Sequence, residues 1–170
     1  MPRIFACLSV ANALLLVATG AFGVLAARLN VERHVLLAVF TLVISCLVQV
    51  IAFTYLTVTG KMIGQAVHLA GLDPLILAET KRLKRSLTVC LPLVFFPLVV
   101  VAASGASQWR SGGSATVHYL AAGGALATHL WAFWREYAVI VENAGLLRRT
   151  LETYSSVRAR HSPGASSAPA

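Results

Sequence analysis

The stretch VLLAVFTLVISCLVQVIAFTYLTVTG, Val35 to Gly60, contains no charged residue and is framed by His34 and Lys61. Rising 1.5 Å per residue, a helix of this length exceeds the roughly 30 Å hydrocarbon core of a bilayer. Three other stretches share the property. Ile4 to Ala27 lies between Arg3 and Arg28, and Ser86 to Trp109 between Arg85 and Arg110. The fourth, Ser111 to Trp134, ends at Arg135 and opens with a Ser-Gly-Gly-Ser that reads as loop.

Composition agrees with the lengths. Of 170 residues, 58% are hydrophobic and 12% charged, and the mean hydropathy is +0.77. Ordinary globular chains are about 45–50% apolar and about 25% charged. So few charges cannot cover so much apolar surface in water, and the excess has to face lipid. The first stretch starts like a signal peptide, MPR followed by an apolar run and Leu25-Ala26-Ala27. A cleaved signal has an apolar region of only about 7–15 residues, so this longer one reads as a retained helix.

The pattern predicts an all-α integral membrane protein: a four-transmembrane-helix bundle with helical cytoplasmic extensions. Its spans are placed at about 4–27, 35–59, 86–106 and 116–138, with a cytoplasmic loop over 60–85. These form a single membrane domain over 1–158, followed by a disordered Ser/Pro/Gly/Ala tail over 159–170. With both termini inside, eleven of the fourteen Lys and Arg residues fall on the inner side, which is the asymmetry that orients membrane helices. The net charge of +8 is explained in this way and needs no nucleic acid. Usage rich in Ala and Arg suits an inner, cytoplasmic membrane.

Within the inner segment, Ile63, Ala66, Val67 and Ala70 recur at helical spacing, continuing the second helix or lying along the membrane surface. Gly71 can end that helix, and Asp73-Pro74 suits the start of the next. The third helix then begins with Lys81, Arg82, Lys84 and Arg85, four cations within five residues. Each is worth about 1 kcal/mol near an anionic leaflet. They are the expected contact to lipid headgroups or to another subunit of a membrane complex.

Polar residues inside the spans are few and fall on faces. The first helix has Asn12, Thr19, Gly23 and Ala27 along one side, with Gly20 adjoining, as in a close-packing seam. The second has Thr41, Ser45 and Gln49 at steps of four, with His34 on the same side. The fourth has the longest stripe: His118, Ala122, Ala125, His129, Ala132, Glu136 and Asn143. Counting from the ends of their helices puts Gln49 and His129 at nearly one depth, and the expectation is a Gln49–His129 hydrogen bond. Glu136 falls near the inner surface, where Lys61 or Arg82 could neutralise it.

Three readings compete for these residues. Gln49, His129 and Glu136 can be packing groups satisfied by neighbours. His34 and His118 share a depth on two helices, which bis-histidine haem b or metal ligation requires. His118, His129 and Glu136 can also mark a proton or solute path, although their separations of eleven and seven residues are long for direct hops. Pro92 and Pro97 in the third helix add a feature that transporters use. Cys7, Cys46 and Cys90 sit in three different apolar stretches without paired spacing, so neither a disulfide framework nor a zinc motif is present. With no Walker loop, HExxH, CxxC or carboxylate cluster, the sequence points to a non-enzymatic subunit, scaffold or assembly component with no cofactor.

Overall fold

A computed structural model describes residues 1–26, 31–112 and 114–161 of the chain. It is all helical. Four helices follow one another: α1 (Pro2–Ala26), α2 (Val31–Ala70), α3 (Leu75–Ser111) and α4 (Ala115–His161). Three of them, α1, α2 and α3, are long and apolar enough to cross a membrane, with mean hydropathies of 2.1, 2.7 and 2.4 over an 18-residue window of each. α4 is the less apolar helix, because the polar residues of its stripe and two glycines interrupt its hydrophobic run.

The inner segment over 60–85 is helix except for the link 71–74. The second helix takes the first of its two expected courses and runs straight on, burying Ile63, Ala66 and Val67. Gly71 ends it at φ +60°, a left-handed conformation that favours glycine, and Leu72 N–H donates to the Val67 carbonyl at 3.0 Å. Asp73 then accepts from Leu75 N–H at 2.8 Å through Oδ1, and the Pro74 carbonyl receives Leu77 N–H at 3.0 Å. The orphan amides of α3 are met by the residues expected to start it. α3 continues unbroken through Pro92 and Pro97. α4 runs on to His161, so the first residues of the expected tail are helix, and 162–170 lie outside the described residues, as does Ala27.

α4 packs against α1, α2 and α3, and α2 packs against all the others, whereas α1 and α3 do not meet among the described residues. The core between them is apolar in layers: Phe5, Val48, Ala52 and Leu56, then Ile63, Leu83, Leu87, Ile140 and Leu146. Phe5 and Asn12 of α1 are buried in this core, which makes α1 an integral part of the bundle. Large apolar side chains such as Leu14, Leu36, Phe40, Phe96, Val99 and Leu120 point outward instead. Trp131, Trp134 and Tyr137 of α4 are also exposed. Large apolar side chains on the outside of a bundle that also buries polar groups suit lipid better than water.

Candidate functional site: the polar seam and the basic groove

The faces read from the sequence meet in the middle of the bundle. Asn12, Thr41, Ser45, Gln49, His129, Glu136 and Asn143 are all buried, and His34, Thr19 and His118 are half-buried. Between α1 and α2, the Thr19 and Thr41 hydroxyls lie 2.6 Å apart, and Ser45 Oγ donates to Asn12 Oδ1 at 3.1 Å. Between α2 and α4, Gln49 Nε2 donates to Glu136 Oε2 at 3.2 Å, and Asn143 Nδ2 donates to Thr59 Oγ1 at 2.8 Å. Gly20, expected to adjoin the seam, is exposed with no atom near its missing side chain.

Two expected pairings are corrected here. Gln49 bonds Glu136 and not His129. The imidazole of His129 is fully buried, but its Nδ1–H is given to the Ala125 carbonyl of its own helix at 2.8 Å. Glu136 pairs with neither Lys61 nor Arg82. Lys61 is exposed, and Arg82 forms an ion pair with Glu142, one turn and a half further along α4, with Glu79 4.0 Å away. The depth count had the right faces but placed α4 too far along α2.

At the other end, the expected match of His34 with His118 holds. The rings meet edge to face with centroids 6.4 Å apart. Each ring rests on a glycine. A Cβ on Gly23 would stand 2.7 Å from His34 Cε1, and one on Gly105 would stand 3.0 Å from His118 Cε1. His118 Nδ1 lies 3.2 Å from Ser104 Oγ, whereas His34 Nδ1 is buried without a partner. No cluster of three or more His, Cys, Asp or Glu suited to a metal occurs among the described residues. His118, His129 and Glu136 share one face of α4 but bond to separate groups, so these contacts form no continuous chain.

The four cations of α3 divide. Lys81, Arg82 and Arg85 line a groove of about 570 Å³ between α3 and α4, together with Arg135, Trp131 and Val89. Lys84 turns the other way and stacks its Nζ 5.2 Å from the centre of the Phe53 ring on α2. Sequence reasoning found three of the groove's cations and missed Arg135, which donates to Ser86 Oγ at 3.2 Å across the groove. Arg135 sits on the stripe's neighbouring face, and only the α3–α4 packing reveals where it points. Thr59, the partner of Asn143, was also missed, because threonine on an apolar helix carries no strong signal. Compared with known families, curated proteins and solved structures, the chain matches none.

Proposed function

We propose that the chain is a four-span protein of an inner, cytoplasmic membrane, with both termini inside, acting as a non-enzymatic subunit, scaffold or assembly component of a membrane complex. The observation that carries this reading is the pairing of the seam. Thr19 with Thr41, Asn12 with Ser45, Gln49 with Glu136, and Thr59 with Asn143 are joined between helices. In lipid such links hold helices together where no hydrophobic force does, at about 0.6 kcal/mol each on average. α4 makes the fourth span in this reading: Glu136 and Asn143 face these partners, and Leu120, Leu130 and Trp134 point outward.

The groove formed by Lys81, Arg82, Arg85 and Arg135 then lies at the inner surface and takes anionic lipid headgroups. Trp131 and Val89 below it offer apolar walls for the acyl chains. Topology follows from labelling single cysteines placed near Arg3, Ser111 and Arg158. Only the Ser111 position should react from outside. Isolation from native membranes in mild detergent, followed by mass measurement, should give a heteromer of fixed stoichiometry. A chain that travels alone refutes the subunit reading.

The facing of His34 and His118 favours one second reading, a metal or haem b bound at the outer end. Ser104 would hold one ring nitrogen of His118 and leave the other for the metal, as outer-shell partners do. Stoichiometric transition metal, or a haem absorbance band, in the purified protein would establish it. A colourless, metal-free preparation sinks it.

A further inference from the structure

The core of the bundle contains one side-chain carboxyl. Of the six acidic residues, Glu32, Asp73, Glu142 and Glu152 are exposed and Glu79 is half-buried. Glu136 has no exposed surface at all. Its one partner is an amide and not a cation, and it joins no ion pair among the described residues. Two atoms of this contact are left over: Glu136 Oε1 and Gln49 Oε1 are both buried and unpartnered. With the carboxyl ionised, both are acceptors and neither can satisfy the other. An uncompensated carboxylate out of reach of water is also among the costliest groups to bury. A single proton removes both difficulties.

We propose that Glu136 is a proton-binding site. The folded bundle holds a proton, taken from water, on Glu136 Oε1 and donates it to Gln49 Oε1. Gln49 Nε2 donates in return to Glu136 Oε2, closing a reciprocal acid–amide ring between α2 and α4. Among the described residues, no cation is bonded to Glu136. From α3 the facing titratable group is the buried Cys90 thiol. From α1 the buried polar groups are the neutral Ser9 and Asn12. On α4 itself, His129 is two turns away and committed through Nδ1, and Arg135 is exposed and bonded to Ser86. Release of the proton leaves one hydrogen bond and two facing acceptors, so proton loss loosens the contact of α2 with α4. The inference rests on burial within the bundle and is independent of the subunit role proposed above.

The test uses the full chain in lipid nanodiscs at neutral pH. The infrared spectrum should show the carbonyl stretch of a protonated carboxylic acid, shifted in heavy water and absent from Glu136→Gln. The other five acids are more exposed, and loss of the band in Glu136→Gln assigns it to Glu136. Gln is the neutral isostere of the protonated acid, its amide N–H replacing the O–H, so Glu136→Gln should melt within a few degrees of wild type. Glu136→Asp, too short to close the ring, should melt well below both. Absence of the protonated band from wild type overturns the proposal, even where a variant fails to fold. So does a Glu136→Gln protein that melts as low as Glu136→Asp.

Discussion

Two glycines three residues apart on α1 should respond to alanine with opposite signs. Gly20 faces outward and a Cβ there meets nothing within 4 Å. Gly20→Ala therefore gains only the helix propensity of alanine, about 0.5–1 kcal/mol. A Cβ on Gly23 meets His34 Cε1 at 2.7 Å and both ring nitrogens at 3.2 Å. The His34 ring is half-buried and its far side is closed by His118, so it cannot turn away freely. Overpacking of this kind costs about 1–3 kcal/mol, which outweighs the propensity gain. Gly23→Ala should thus fall below Gly20→Ala by roughly that 1–3 kcal/mol. Denaturation in mixed micelles with increasing SDS, followed by circular dichroism, measures the difference. In a His34→Ala background the clash is gone, and Gly23→Ala should behave like Gly20→Ala. Equal stabilities of the two glycine variants in the wild-type background would refute the packing of His34 on Gly23.

The Thr59–Asn143 bond should give a double-mutant coupling of about 0.6 kcal/mol and no more than about 1.7 between Thr59→Val and Asn143→Ala in the same unfolding assay. A coupling of zero removes the bond from the seam. Arg82→Ala breaks an ion pair whose side chains are 65% and 43% exposed, so its effect on stability should stay below about 1 kcal/mol and fade in high salt. Gly71→Ala places a side chain on a left-handed residue at φ +60° and should destabilise by about 1–2 kcal/mol with no change in helix content before unfolding.

Hydropathy and helical spacing made much of this fold legible. Charge-free stretches locate α1, α2 and α3 because lipid admits few charges, and Gly71 with Asp73-Pro74 marks the α2–α3 junction through local backbone chemistry. The stripe from His118 to Asn143 revealed the inner face of α4, since helical periodicity survives whatever the helix packs against. Relative displacement of two helices is different, because no local rule encodes it. Gln49 lies opposite about the middle of the His129–Glu136 interval, and sequence counting chose the wrong end. The choice falls to Glu136 because His129 is already bonded to Ala125. Which way Lys84 turns, and where Arg135 points, depend likewise on how α3 packs against α2 and α4.

The contacts of α2 with α4 recur at a nearly constant separation along the chain: His34 with His118, Gln49 with Glu136, and Thr59 with Asn143. Two parallel helices pinned at three heights cannot slide past each other. A shift of one residue, 1.5 Å along the axis, would put all three contacts out of register. α2 and α4 therefore form a single strut about 60 Å long. A push along one of these two helices is shared by the other and is not taken up as a piston stroke of one helix.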